Sequence, residues 1–432
     1  MVRSYFYALL ARYVSVYVQP SDSVVEMDPM SSDLRSHFPE AQTVFLRGEK
    51  SNVQNESLPA IKADYVILNG ILHYERDIQS YLRRLRHTVS DQCRLIVIYY
   101  SSVWRPVMRL ATALRLRIKT TEDNWLSHSD VVNLFYLSDF EVLKIEQKIL
   151  VPARIPLFSE FVNRYLAPLP GFRIFCVANV LVARPIPKPR LDPPSVSVVI
   201  PARNEAGNIE QAVIRTPLMG PSDELVFVEG GSSDDTWESI LKVQRIYGAS
   251  RRIIAVRQDG KGKGDAVRKG FAHASNEVLM ILDADLTTPP EDLPNFYEAY
   301  VKGKGEFING SRLVYPMDKK AMRFLNLVGN KCFATAFSFV LGQQFKDTLC
   351  GTKVLTKPHY ERLANCRSYF GEFDPFGDFD LLFGAARMGL KIVDVPIAYR
   401  ERTYGETNIA RWRHGMILLV MLLFASRRLK FI

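Results

Sequence analysis

An apolar run that ends on two aspartates constrains this chain more than any other feature. In NEVLMILDADLTTPPEDL, residues 276–293, the apolar stretch reads as a buried strand; Asp283 and Asp285 stand at its C-terminal end, and a turn and a proline-started helix follow. Open α/β sheets bind ligands at that end of their strands. A carboxylate pair there suits a hard divalent cation, Mg²⁺ or Mn²⁺, which takes further oxygens from water and from substrate phosphates. A lone Asp-x-Asp also fits a polar strand-to-turn junction, so its neighbours decide between the two.

Three upstream segments repeat the pattern. SVSVVIPARNEAGNIEQAV, residues 195–213, is a β-rich run stopped by Pro201 and followed by an Asn/Glu turn and an amphipathic helix. ELVFVEGGSSDDTWESILKV, residues 224–243, is a strand ending in Glu229 before a Gly/Ser turn that caps a helix. RRIIAVRQDGKGKGDAVRKGFAHA, residues 251–274, puts Gly260, Lys261, Gly262, Lys263 and Gly264 at a helix start. Free backbone N–H groups, the positive end of the helix dipole and two lysines suit a pyrophosphate, although solvated loops share this composition. Successive strand–turn–helix units, each with a polar group at the strand's C-terminal end, predict an α/β fold.

Residues 196–432 resemble a family-two glycosyltransferase of the GT-A fold, a Rossmann-like nucleotide-sugar-binding domain, in the branch of dolichol-phosphate mannose synthase and the polyprenyl-phosphate glycosyltransferases. VVIPARNE, VEGGSSDDT, DGKGKGDAVRKG, DADLTTPPEDL, NGSR, DTLCGTKVL and RTYGETN carry the resemblance, in that order. It implies that Pro201, Ala202, Asn204, Glu205 and Glu229 surround the base and ribose, that Lys263 and Asp265 lie near the diphosphate, and that Asp283, Ala284 and Asp285 form the donor and metal motif. It also implies a UDP- or GDP-linked sugar donor, a divalent metal, and a polyprenyl phosphate acceptor met by Arg312, Arg402 and the position of Asn408.

The chain departs from that pattern in places. Glu229 and Gly230 replace the usual pair of aspartates, and Asn408 stands where a lysine is common. GEFDPFGDFDLLFGAARMG offers Asp374, Asp378 and Asp380 as general base or helix cap. A lipid phosphate acceptor is already anionic and needs no base, whereas a sugar hydroxyl needs a carboxylate such as Asp378 or Asp380 to take its proton. The departures also leave open a non-catalytic scaffold in which both domains have lost turnover.

Two segments combine basic residues with apolar runs. Residues 319–341 read as an amphipathic helix or helix pair, either in a membrane interface or packed on the protein's own core. Residues 412–430 hold an apolar run between basic clusters, shorter than the roughly 20 residues a spanning helix needs. The expectation is a protein on the cytoplasmic face of a membrane, peripheral and not integral. A net charge of +10 suits anionic headgroups and nucleotides, and no nucleic-acid-binding motif accompanies it. The five cysteines form no C-x-x-C pair, which suits reduced thiols, and the N-terminus does not read as a signal peptide.

The proline-rich stretch RPIPKPRLDPPS, residues 184–195, marks a linker, with domains expected at residues 1–185 and 196–432. Before it, DSVVEMDP, ADYVILNGILHYERD and CRLIVIYY read as strands of a smaller α/β domain. Their order resembles a class I methyltransferase, which implies S-adenosylmethionine near Glu26, Asn69 and His73. The loop that should be glycine-rich reads DPMSSDLRS, and close backbone approach to a cofactor generally needs residues without a Cβ. A degenerate domain without bound S-adenosylmethionine is the expectation.

Overall fold

The computed structural model describes residues 2–29, 31–44, 60–114, 124–188, 190–315, 324–365, 367, 377–402, 404 and 411–432. The chain divides into two compact units, one of residues 1–188 with 427–432, the other of residues 189–426.

The first unit is built on a six-stranded sheet of order β2-β1-β3-β4-β6-β5. Its strands are β1 (Val24–Met27), β2 (Gln42–Val44), β3 (Tyr65–Asn69), β4 (Arg94–Tyr100), β5 (Phe140–Lys148) and β6 (Ala178–Pro185). The first four lie parallel, while β6 runs antiparallel to β4 and β5 antiparallel to β6. Strands β3 and β4 are buried on both faces along nearly their whole length, as is usual for strands in a parallel sheet. The core gathers Val66, Leu68, Tyr81, Leu85, Leu95, Val97, Phe135 and Phe140. Helix Val2–Val14 buries Leu9, Leu10, Tyr13 and Val14.

A buried charge cluster closes the far edge of this unit. Glu146 on β5 accepts a hydrogen bond from Lys430 at 2.8 Å and lies 3.5 Å from Lys148, while Tyr17 donates to it at 3.3 Å. Lys144 and Lys148 stand over the rings of Tyr17 and Tyr13, at 4.4 and 4.8 Å. Burial alone would raise the carboxyl pKa of Glu146; Lys148, Lys430 and Lys144 overcome it and hold the group far below the usual carboxylate range.

The second unit has a seven-stranded sheet of order β13-β11-β12-β10-β7-β8-β9. These are β7 (Val196–Ala202), β8 (Glu224–Glu229), β9 (Arg252–Arg257), β10 (Val278–Ile281), β11 (Phe307–Ser311), β12 (Lys353–Thr356) and β13 (Ile392–Pro396). All pairings are parallel except those of β12, which runs antiparallel to β10 and β11. Strands β7, β8, β9 and β10 come from the strand–turn–helix segments read in the sequence, and their C-terminal ends open on one edge.

The segments read as amphipathic both have packed faces. Helix Phe324–Leu341 buries Phe337, whose ring lies 5.3 Å from Phe379 and 5.4 Å from Phe383 on helix Asp378–Arg387. Residues 319–323 fall outside the described residues. Helix Arg411–Ala425 buries Leu418, Met421 and Ala425 and leaves Met416, Leu419, Val420 and Leu423 exposed. Among the described residues no helix is long and apolar enough to cross a membrane.

Replacing Glu146 with Gln keeps the shape of the side chain but strands buried ammonium groups without a counter-charge. Such a change should destabilise the first unit by about 3–5 kcal/mol, read as a shift of the denaturant midpoint. An unchanged midpoint would show that the lysines do not depend on Glu146 as a counter-charge.

Candidate active site

Backbone geometry sets where the side chains of the second unit emerge. Ala202 of β7 pairs with Glu229 of β8, so the turns after the two strands start at one level. The turns are then stitched together. Asn204, in the left-handed region at φ 57°, donates its N–H to Ser232 Oγ at 3.0 Å and accepts from the Ser233 N–H at 2.8 Å. Glu205 donates its N–H to Thr236 Oγ1 at 2.9 Å. The buried Glu229 folds back to accept the Ser232 N–H at 2.5 Å, so one of its oxygens serves its own turn.

The Gly/Lys loop is held from inside. Asp265 accepts the Gly260 N–H at 3.0 Å, and a Cβ on Gly260 would meet that carboxylate at 2.8 Å. The structure thus gives Asp265 a loop-closing contact. Gly262, at φ 87°, turns the chain into helix Lys263–His273.

The aspartates of the Asp-x-Asp motif each meet a cation from a distant segment. Lys263 Nζ lies 2.7 Å from Asp283 Oδ1. Arg402 donates to Asp285 Oδ2 at 2.6 Å and to Glu205 Oε1 at 3.3 Å. The other Asp285 oxygen accepts the Thr287 N–H and hydroxyl, at 3.1 and 2.9 Å, which fixes the rotamer. Ala284 is buried between the two carboxylates. Burial raises the pKa of Asp283, but Lys263, together with Lys353 and Arg312, more than offsets it, so the group sits below its ordinary value. Glu205 is pushed up to about 7, mainly by burial, against the pull of Asn208 and Arg402.

This donor set fits a hard cation. It presents two carboxylates on one turn, held by hydrogen bonds, with room in a metal's coordination sphere left to ligand phosphates. Among the described residues no group of three or more His, Cys, Asp or Glu side chains gathers as a self-sufficient metal cage. Asp283 and Asp285 would therefore hold the ion jointly with a phosphate-bearing ligand.

The remaining expected residues divide sharply. Arg312 is not turned to the open edge: its guanidinium is bidentate to buried Asp347, at 2.7 and 2.9 Å, and lies over the Tyr399 ring at 5.2 Å. Asp380 pairs with Arg367 at 3.2 Å. Asp378 opens helix Asp378–Arg387 after Gly377, but its side chain, together with Asp374 and Asn408, lies outside the described residues.

Three contributors were not singled out from the sequence, although each sits inside or beside a quoted motif. Asp234 accepts the Ala206 N–H at 3.2 Å and the Tyr404 hydroxyl at 3.3 Å, tying the second turn to the late segment. Gly351 lies against the metal motif itself; a Cβ there would collide with the Asp283 carboxylate and the Lys263 ammonium. The third is Tyr404.

Gly351→Ala should accordingly push Asp283 and Lys263 apart while sparing the sheet. Mn²⁺ binding in the presence of nucleoside diphosphate, followed by calorimetry, should weaken by about 10–100-fold with little change in melting temperature. Wild-type affinity in this variant would mean that the close approach has no part in the site.

Residues 197–363 match the family described as Glycosyl transferase family 2. The chain is 31% identical to the dolichol-phosphate mannosyltransferase of Pyrococcus furiosus over 50% of its own length and 59% of that protein's. It therefore spans about three-fifths of that relative. It is also 31% identical to the glycosyltransferase AglJ of Haloferax volcanii, over 53% of this chain and 71% of that one. Among solved structures, glucosyl-3-phosphoglycerate synthase from Mycobacterium tuberculosis is 20% identical, with 55% of this chain and 80% of that chain covered at a TM-score of 0.39. On the match to the family and the extent of the relationship to AglJ, the chain belongs to glycosyl transferase family 2.

Proposed function

We propose that the second unit is a GT-A-type, metal-dependent inverting glycosyltransferase that moves a sugar from a UDP- or GDP-linked donor to a polyprenyl phosphate. The reading rests above all on the pairing of Asp283 with Lys263 and of Asp285 with Arg402. These carboxylates and cations belong to motifs far apart in sequence, and they meet at the C-terminal ends of β7 and β10. The name of the Pyrococcus furiosus relative supports the lipid acceptor.

Asp283 and Asp285 would hold a divalent metal, and the chemistry it would supply there is Lewis-acid stabilisation of the leaving diphosphate. Lys263, beside Asp283, adds a second positive charge at the place where negative charge grows as the C1–O bond breaks. The turns of Pro201, Ala202, Asn204 and Glu205 and of Glu229 hold the nucleoside. The acceptor phosphate is anionic at neutral pH, so its oxygen attacks C1 from the opposite face with no proton to remove. Arg402, which reaches both Glu205 and Asp285, would orient that phosphate. Arg312 acts at one remove, by fixing the segment that carries Gly351 against the metal motif.

The first unit is read as a methyltransferase-like domain without cofactor. At the C-terminal ends of β3 and β4, Phe6, Tyr7 and Leu10 of helix Val2–Val14 join Ser31, Asn69 and Tyr100 around a cavity of about 30 Å³. That volume suits a water molecule, not a nucleoside. His73 is also engaged: Nε2 accepts the Tyr100 N–H at 2.7 Å, and Nδ1 lies 2.6 Å from the Asn124 carbonyl. S-adenosylmethionine titrated into the full chain should give no heat at low-micromolar concentrations; a dissociation constant in that range, about −8 kcal/mol, would restore a methyltransferase reading.

Transfer from a panel of UDP- and GDP-sugars to a short-chain polyprenyl phosphate provides the central test. Asp285→Asn should abolish it with folding intact, and Arg402→Ala should lower it far more than it lowers donor binding. Full activity of Asp285→Asn, or in excess chelator, sinks the metal assignment. Transfer to a soluble sugar hydroxyl instead, lost in Asp378→Asn or Asp380→Asn, would replace the phosphate acceptor with a general-base mechanism.

A further inference from the structure

We propose that the first unit carries a membrane-docking surface of its own, formed by helix Arg105–Ala113 and the loop of residues 155–175, and that its partner is a bilayer bearing anionic lipid. The proposal goes beyond the transfer reaction and stands on surface chemistry alone.

Helix Arg105–Ala113 leaves apolar side chains in solvent beside the exposed Arg105 and Arg109. Leu110 and the adjoining Leu114 are 60% and 61% exposed, on the same side as Val107. The second element is folded from short helical pieces, Phe158–Phe161, Val162–Leu166 and Phe172–Phe175. It presents Phe158, Phe161 and Phe175 to solvent, each more than half exposed. At its tip Leu157 is 91% exposed and holds φ at 62°, a backbone region unfavourable for a leucine. Strain spent on pushing an apolar side chain into water points to function and not to packing.

These pieces form one surface. The Trp104 indole N–H donates to the Phe175 carbonyl at 2.9 Å, bringing the start of the helix to the end of the loop. Within the loop, Phe161 lies against Tyr165 at 5.5 Å, and Tyr165 stacks on Phe431 at 6.2 Å.

Charge selects the occupant. Residues 101–114 and 151–177 contain Arg105, Arg109, Arg154, Arg164 and Arg173 but a single acid, Glu160. That acid is paired with Arg12 at 2.7 Å. Aromatic and aliphatic side chains protruding among arginines, with the acid neutralised, match the headgroup region of an anionic bilayer: rings and leucines enter the acyl boundary while guanidinium groups meet phosphates.

Co-sedimentation of the full chain with vesicles tests this. Wild type should bind phosphatidylcholine vesicles carrying phosphatidylglycerol more tightly than pure phosphatidylcholine, and binding should weaken with salt. Leu157→Ser combined with Phe158→Ser and Phe161→Ser should lower the partition coefficient by about tenfold or more, with melting and nucleotide-sugar binding unchanged. In the wild type, brominated lipid should quench fluorescence that Trp104→Phe removes, a readout that does not depend on how the triple variant folds. Undiminished vesicle binding by the triple variant, with Val420→Ser and Leu423→Ser abolishing it, would overturn the proposal and assign docking to the second unit. A change of molecular mass in sedimentation equilibrium without loss of vesicle binding would overturn it in favour of a contact between copies of the chain.

Discussion

The second unit depends on a carboxylate that never reaches its surface. Asp347 is fully buried, a position in which an unpaired charge would be prohibitive. It is tolerated because it accepts from the Arg312 backbone and guanidinium, from Asn330 and from the Leu349 N–H. Those donors come from the end of β11, from helix Phe324–Leu341 and from the segment before β12. Arginine holds the carboxyl well below its ordinary range even though burial works the other way. The segment so pinned carries Gly351 onto Asp283, and the geometry of the metal motif inherits the rigidity of an ion pair it does not contact.

The candidate site answers a second demand, that carboxylates placed together for a cation must be tolerable without one. Lys263 and Arg402 meet it by pairing with Asp283 and Asp285. Each pair is partly exposed, so neither is a deep burial of charge, and each is weak enough to be exchanged for stronger partners. Arg402 in particular bridges Asp285 and Glu205, two groups presented by different turns, and so spans the site instead of lining one side of it.

Much of this was legible in the sequence because it is local. Strands β7 to β10 follow from apolar runs ended by turn residues, and the clustering of Glu229, Lys263 and Asp283 at one edge follows from parallel pairing. Side-chain direction was less legible. Arg312 and Asp265 stand in motifs that suggest ligand contact, yet one grips Asp347, 35 positions away, and the other closes its own glycine loop. A motif fixes where a residue emerges; its partner is fixed by topology, and β12, entering antiparallel between β10 and β11, is the element that local periodicity cannot place. The exposed apolar face of helix Arg105–Ala113 was hidden for a related reason, since amphipathic spacing is the same whether the apolar side meets a core or water.

The first unit is discontinuous along the chain. Its buried charge cluster needs Lys430, which lies beyond the whole of the second unit in sequence, and Arg164 donates to the Phe431 carbonyl at 3.1 Å. Synthesis proceeds from the N-terminus, so residues 1–188 leave the ribosome with Glu146 lacking one of its cations, and they stay so until the intervening unit has been made. The order of translation therefore makes completion of the N-terminal unit wait on synthesis of the whole second unit.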